Sequence, residues 1–571
     1  MAYDIDDALL DSLNLRRSDG PSGYEIVIPP RSNIARNTVE RYAAKRPDHM
    51  ALIYEGADLS LRTWTFAELD RDASRLAHGL AGLGIGRGDR VALYTGMRPE
   101  TGIVHMALYK LGAIAVTLSQ LYGPDTLAHI LNHAEASAIV TQDQAWDPFR
   151  GREGEFPTLK HRIVVGAARG DEIPFDGLVA ASAGADSFAA VDTDADEVAL
   201  LMYTSGSTGL PKGIMHGHRI LEAYVPSLSL VYNLDRDDPG SVFWSPADWA
   251  WVGGLLDLLL IAWRFGRTVV TSEHRFDAEW AFAFMARRGV THSFMTPTAL
   301  KRMAQVVEPK KRWPDLKLRV VCTGGEALPG AVLDWAENDL GIVCNEFYGL
   351  TEVNHLIGSC KALYPSLPGS MGVAYPGHAT TIVDVNGEPL PDDEEGEVVT
   401  AGDDATRFLG YWKDPERTAD LRLGGWLRTG DMAVRDADGY FWYRGRTDDL
   451  IKSSGFRIGP AEVEDCLVRH TAVAEAAVVA SPDADRGSIV KAFIRLAEGR
   501  SASDALTAEL QAHVKQNLAA YKYPREIEYV DSFELTSSGK ISRRKLRELE
   551  IARKAGSTQQ HIIPRSADND P

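Results

Sequence analysis

Cysteine is scarce in this chain of 571 residues. The four present, Cys322, Cys344, Cys360 and Cys466, stand far apart, with neither the paired spacing of a zinc site nor the density of a disulfide scaffold. A reduced, cytoplasmic protein is expected. Positive charge is in deficit as well: 61 Lys and Arg face 80 Asp and Glu, a formal net charge of −19. That balance argues against a nucleic-acid-binding or anionic-membrane surface, so an anionic substrate has to be met by local positive charge or by metal. Long apolar runs are missing. The most apolar stretch, Trp249–Trp263, carries Asp257, Gly253 and Gly254 and falls short of the ~20 residues of a membrane span. It reads as a buried helix lining a pocket, and no membrane insertion is expected. The opening MAYDIDDALLDSLNLRRSDG has acids where a secretion signal needs bases, and it lacks an apolar core. A Walker phosphate loop is also absent, since Ser538-Gly539-Lys540-Ile541 lacks the closing hydroxyl residue.

What is there centres on Leu201–Gly213, LMYTSGSTGLPKG. The apolar run from Val198 reads as a buried strand that stops at Thr204 and gives way to hydroxyls and glycines. Gly206, Gly209 and Gly213 let the backbone turn its amides inward, while Thr204, Ser205, Ser207 and Thr208 add hydroxyl donors and Lys212 a mobile cation. That combination suits a polyphosphate. A flexible Gly/Ser linker shares the composition but needs neither an apolar lead-in nor a closing Pro-Lys-Gly.

Elsewhere the chain alternates. Thr65-Phe-Ala-Glu68 makes a capping box, and Leu69, Ala73, Leu76, Leu80 and Leu83 follow at helical spacing. Strand-like runs occur at Val91–Tyr94, Ala113–Thr117, Ala138–Val140, Ile163–Val165 and Thr268–Thr271. The fold class expected is α/β: a large N-terminal domain with parallel-rich sheets covered by helices, plus a small mobile α+β C-terminal domain. In such folds ligands sit beyond the carboxyl ends of the strands. Two further strand-to-loop transitions therefore matter: Leu318–Cys322 into Thr323–Pro329, and Ile342–Phe347 into Tyr348-Gly-Leu-Thr-Glu352. If both strands share a sheet, their loops and the opening loop can line one crevice. Each segment also has a plainer reading, a tight turn before a helix and a buried aromatic followed by a solvated acid. Four regions are expected: an N-terminal surface arm at 1–30, a large domain at 31–447, a small domain at 448–554 and a flexible tail at 555–571.

Together these segments resemble the AMP-forming acyl-CoA synthetases, the adenylate-forming ligase family, in the branch of the acetyl-CoA and medium-chain acyl-CoA synthetases. The resemblance runs from about Ile34 to Leu549 in five ordered motifs. It implies that Thr204–Gly209 and Lys212 hold ATP phosphates, that Gly324, Gly325, Glu326 and Ala327 wall the adenine pocket, and that Tyr348 and Gly349 lie against the base. By the same resemblance Thr351 sits near the α-phosphate, Glu352 holds Mg²⁺, and Asp431, in Gly425–Asp431, accepts the ribose hydroxyls. Arg446 reaches the nucleotide, Asp448 is the hinge, and Gly455, Phe456 and Arg457 serve CoA. Lys540 resembles the catalytic lysine. Where the family commonly has proline this chain has Glu534, which bears on loop stiffness and leaves Lys540 in register.

The activity implied is ATP-dependent conversion of a carboxylic acid to acyl-AMP with release of pyrophosphate, then transfer to CoA. Free ATP, CoA and a small acid are the implied partners. A carrier-protein thiol is the alternative acceptor, and a catalytically silent acyl-nucleotide binder the alternative from another class. For the acyl pocket, acetate-specific relatives carry tryptophan at the position matching Gly349. A glycine there, with Gly253 and Gly254 beside Trp251, is expected to leave room for a medium-chain, branched or small aromatic acid; the competing reading makes the tryptophans core aromatics that refill the space. Acetylation of Lys540 would remove its charge, which makes a lysine acetyltransferase or deacetylase a further candidate partner.

Overall fold

The computed structural model describes residues 5–204, 211–447, 449, 451–453, 456–483, 486–518, 520–534 and 541–554. The chain divides into two compact units, Met1–Thr429 with Ala433–Trp442, and Gly430–Met432 with Tyr443–Pro571. Tyr443–Thr447 and Gly430–Met432 thus join the second unit, whereas the expected boundary lay between 447 and 448.

The first unit holds two large sheets. In an eight-stranded sheet, Val198–Thr204, Ile114–Thr117, Arg90–Tyr94, Ala138–Gln142 and His161–Val165 run parallel, and Lys212–Gly217 returns antiparallel against Val198–Thr204. Their side chains are buried on both faces, which explains why these strands read as continuous apolar runs without alternation. In a fourteen-stranded sheet, Val343–Tyr348, Val320–Gly324, His292–Phe294, Val242–Trp244, Thr268–Ser272 and Met50–Glu55 form a parallel centre with antiparallel flanks. The expected capping box is present at Thr65 and Glu68. The helix behind it, Phe66–Gly82, buries Leu69, Ala73, Leu76 and Leu80, the face its periodicity predicts.

The N-terminal stretch departs from a surface arm. Asp6 caps a helix at Asp7–Ser12, and Leu15–Arg17 pairs with Tyr24–Ile26. Ile5, Leu10, Leu13, Leu15, Tyr24 and Ile26 are all buried in the main core. Polar residues and turn formers outnumber these anchors, so composition hid a segment most of whose few large apolar side chains point inward, Val27 being exposed. The run Trp249–Trp263 is helical from Val252 onward and buried, as expected.

The second unit is α+β. Val473–Asp483 and Gly487–Leu496 form an antiparallel pair joined in parallel by Glu526–Tyr529, and helices Pro460–Val468, Asp504–Asn517 and Arg543–Lys554 accompany them. Among the described residues no helix is long and apolar enough to cross a membrane.

Candidate functional site

The strand Val198–Thr204 ends where the apolar run ends, and Thr204 is register partner to Lys212 on the returning strand. One hairpin therefore holds both ends of Ser205–Leu210. The residues Ser205, Gly206, Ser207, Thr208 and Gly209 themselves lie outside the described residues.

Val320–Gly324 and Val343–Tyr348 are adjacent parallel strands, so the segments after them emerge side by side. Gly324 has no space for a side chain: a Cβ there would stand 2.8 Å from the Phe347 carbonyl oxygen. Gly325 turns the chain with φ +89°, a conformation that favours glycine. Glu326 accepts a hydrogen bond from Thr298 Oγ1 at 2.7 Å, and Ala327 is exposed. Tyr348 closes its strand half-buried. The glycine-bearing hairpin belongs to the other sheet, not to this one, so the shared crevice needs a different explanation from a single sheet edge.

Residues 407–412 supply it. On one side Leu409 and Trp412 donate their amides to the carbonyls of Met215 and Gly213, both at 2.8 Å; on the other, the Phe408 amide donates to the Glu352 carbonyl at 2.7 Å. This stitch brings three side chains together. Lys212 Nζ lies 2.7 Å from Glu352 Oε1 and donates to Tyr411 Oη at 2.6 Å, while Tyr411 Oη donates to the same Glu352 oxygen at 2.7 Å. Burial would raise the Glu352 carboxyl, but the Lys212 ammonium and the Tyr411 phenol outweigh it and hold the group below the ordinary carboxylate range. Tyr411 was not singled out from sequence. Its one signal is an aromatic between Gly410 and the proline-initiated helix Pro415–Asp420. Thr351, half-exposed, precedes Glu352 in the same loop.

A second acid–cation–phenol group lies in the second unit. Asp431 falls in the middle of the strand Trp426–Arg435 and is buried. Gly430, at φ +74°, bends the strand just before it. Tyr443 Oη donates to Asp431 Oδ1 at 3.2 Å, and Arg446 Nη1 stands 3.6 Å from that oxygen. Burial and then the Asp431 charge push the Tyr443 phenol well above its usual range.

Asp448, Gly455 and Lys540 lie outside the described residues, as do the side chains of Phe456 and Arg457. The flanks of Lys540 are described. The Ser542 amide donates to the Glu534 carbonyl at 3.0 Å, the Glu534 carboxylate pairs with Lys545, and Arg543 Nε meets Glu464 Oε1 at 2.7 Å. Glu534 thus tethers the base of the segment through an ion pair where a proline would act through its ring.

The acyl-side glycines are small for a reason other than open space. A Cβ on Gly349 would lie 2.5 Å from both Asn354 Oδ1 and the His355 amide nitrogen; on Gly253, 2.3 Å from the Phe294 ring; on Gly254, 2.4 Å from the Asp248 carbonyl oxygen. The volume that a missing side chain leaves is already occupied at all three. Trp251 is half-buried and meets the Tyr122 ring edge-on at 5.7 Å. Behind Gly349, His355 Nε2 contacts the buried Asp257 carboxyl at 2.9 Å, with Asn354 Nδ2 at 3.2 Å.

Whether the site fits Mg²⁺ turns on Glu352. Among the described residues no group of three or more His, Cys, Asp or Glu could hold a metal ion. A single ionised carboxylate nevertheless fits the habit of Mg²⁺, which binds through one or two carboxylates, several waters and substrate phosphates.

Residues 39–412 match the family described as AMP-binding enzyme, and residues 462–540 match the AMP-binding enzyme C-terminal domain. An uncharacterised acyl-CoA ligase of Bacillus subtilis, YtcI, is 34% identical over 531 residues, covering 93% of this chain and 98% of that protein. The acetyl-coenzyme A synthetase of the same organism is 34% identical, covering 92% and 91%. Among solved structures, the anthranilate CoA ligase AuaEII in complex with anthranoyl-AMP superposes with a TM-score of 0.82 at 28% identity, covering 92% of this chain and 99% of that one.

Proposed function

Since the chain belongs to the AMP-binding enzyme family, as an acid–thiol ligase of the acyl-CoA synthetase kind, we propose that the Lys212–Glu352–Tyr411 group is the phosphate side of its adenylation site. The protein activates a carboxylic acid with ATP and passes the acyl group to CoA. A carboxylate is a poor electrophile because resonance stabilises it and its leaving group would be oxide. Attack of its oxygen on the α-phosphorus releases pyrophosphate and gives a mixed anhydride with AMP as a good leaving group; the CoA sulfur then takes the acyl carbon and AMP departs.

The first step brings two anions together, so positioning and charge neutralisation carry it. The observation that supports the assignment is the short contact of Lys212 and Glu352 across two sheets. Lys212, freed from Glu352 when a triphosphate enters, neutralises phosphate oxygens, and Glu352, already ionised, holds Mg²⁺. When bound, Mg²⁺ supplies charge neutralisation along the phosphate chain. Tyr411 keeps one donor on Glu352 in either state. Asp431, buried with Tyr443 fixing one oxygen, accepts the ribose hydroxyls, and Arg446 reaches the nucleotide. Lys540 bridges the acid and the α-phosphate during adenylation; a compact, flexible ammonium suits that task better than a rigid fork.

The acid is the least constrained part. The glycine positions give no added length to the pocket, so compact acids, branched or aromatic, stand ahead of linear medium-chain ones. AMP release with ATP, Mg²⁺ and CoA across acids from acetate to decanoate, with isobutyrate and benzoate included, tests the whole reading. Acid- and CoA-dependent AMP is expected, highest with a compact acid. Lys540→Ala should lose about 10²–10⁴ in adenylation rate, the cost of ~3–5 kcal/mol for a deleted charge partner, yet still turn supplied acyl-AMP into thioester. Equal loss of both half-reactions would remove Lys540 from its role. Acetylation of Lys540 as a control rests on the same charge, and intact mass with activity before and after deacylase treatment checks it.

A further inference from the structure

A cleft of about 140 Å³ opens in the first unit, with Arg407, Arg422, Thr418 and Gly410 in its lining. Its two arginines are unusual in so acidic a chain. Neighbouring guanidiniums have carboxylates: Arg219 meets Asp196 at 2.9 Å and Arg428 meets Glu397 at 2.7 Å. Among the described residues neither Arg407 nor Arg422 makes an ion pair. Arg407 Nη1 donates to the carbonyls of Asp403 and Asp404, both at 3.1 Å, and Arg422 Nη1 donates to that of Gly402 at 3.3 Å. These contacts fix the planes of the two forks without cancelling their charge.

The obvious counter-ion is engaged elsewhere. Asp404 is buried and accepts from His378 Nδ1, Thr400 Oγ1, the Thr406 amide and Thr406 Oγ1, each within 2.9 Å. Arg219, itself paired with Asp196, donates to the Arg407 carbonyl at 2.9 Å and offers Arg407 no counter-charge. A small cleft with two uncompensated forks on its wall favours a multiply charged oxyanion, because guanidinium edges match phosphate oxygens two at a time. The cleft is small and open to solvent, which suits a compact oxyanion.

From this geometry we infer that the cleft is a second anion site, separate from the adenylation site, that takes inorganic pyrophosphate. The wall residue Phe408 is bound through its amide to the Glu352 carbonyl, so pyrophosphate leaving the Lys212–Glu352 group would meet this cleft one residue away along the same stitch. The choice of pyrophosphate rests on the adenylating reaction; the existence of an oxyanion site does not.

Calorimetric titration of the full-length protein tests it, with the nucleotide site first saturated by a non-hydrolysable ATP analogue and Mg²⁺ kept in excess. Wild-type protein should bind one further pyrophosphate per chain, more tightly than orthophosphate. Arg422→Gln should weaken that binding at least tenfold and Arg422→Lys less, with AMP release unchanged in both. Arg422 is exposed, so its variants should melt with the wild type; Arg407→Lys, which retains a charge but loses the fork, gives a second reading from the other wall. No binding beyond the nucleotide site, or wild-type affinity in both Arg422→Gln and Arg407→Lys, would overturn the site. Orthophosphate binding as tightly as pyrophosphate would overturn the assignment of its ligand. A chain that released no AMP with any acid would sink the proposed function while leaving this titration readable.

Discussion

The two units each carry an acid, a cation and a tyrosine phenol on one oxygen, and the two groups differ in tightness. In the first unit Lys212 and Tyr411 both sit within 2.7 Å of Glu352 Oε1. In the second, Tyr443 stands at 3.2 Å and Arg446 at 3.6 Å from Asp431 Oδ1. In the proposed adenylation site the tight group holds a charge that is exchanged when substrate arrives, Lys212 moving from carboxylate to phosphate. In the proposed site Asp431 would accept from neutral hydroxyls, a step that exchanges no charge. On the proposed function the same three residue types serve a site that trades partners and a site that only adds one.

Removing the acid from each group should separate them most. Glu352→Gln is expected to lower the rate of AMP formation by about 10²–10³, the scale seen when one preorganised contact to developing charge is lost, and to lose at neutral pH the stability that its depressed pKa contributes. Asp431→Asn should act on binding: the KM for ATP should rise about 10–100-fold, as for a charged hydrogen bond of ~1.5–3 kcal/mol, with kcat moved less. Steady-state kinetics with the best acid of the panel checks both. If the two variants shifted the same constant to the same degree, the distinction between exchanging and accepting would fail.

A smaller effect sharpens the tight group. Tyr411→Phe removes the donor that stays on Glu352 in both states, at a cost of about 1 kcal/mol in stability, read as a lowered midpoint of denaturant unfolding. Tyr443→Phe removes the longer contact and should cost less. A larger loss for Tyr443→Phe would mean that burial and not contact length sets the contribution.

Much of this was legible from residues alone, and the exceptions have physical causes. Buried parallel strands announce themselves as apolar runs, so Val198–Thr204, Val320–Gly324 and Val343–Tyr348 could be placed and their ends marked as candidate sites. The meeting of Lys212 with Glu352 could not be, because 140 residues separate them and the link runs through backbone bonds of 407–412, which leave no trace in side-chain pattern. Tyr411 stayed hidden for the same reason. Gly349 misled in the opposite direction: a missing side chain is visible in sequence, but the Asn354 amide group and His355 backbone that fill its place are not. The N-terminal segment shows that composition measures an average, whereas anchoring depends on a few apolar residues at the right turns.

Titration of stability without nucleotide or divalent cation compares the groups at their opposite ends. The folded-state pKa of Glu352 lies below its ordinary value. Between that depressed value and the unfolded value of ~4.3, the folded protein binds fewer protons than the unfolded chain. Stability therefore rises with pH across this window; the contribution is complete above it and disappears as pH falls through the folded pKa. Tyr443 is displaced upward, so above pH ~10 the unfolded chain gives up a proton that the folded protein keeps. Its contribution is complete below that pH and declines as pH rises toward the folded value. Urea unfolding at a series of pH values should then show Glu352→Gln flattening the acid limb alone and Tyr443→Phe the alkaline limb alone. An acid limb unchanged in Glu352→Gln would mean that the Lys212 contact does not hold that carboxylate ionised in solution, and the exchange of partners on which the tight group depends would go with it.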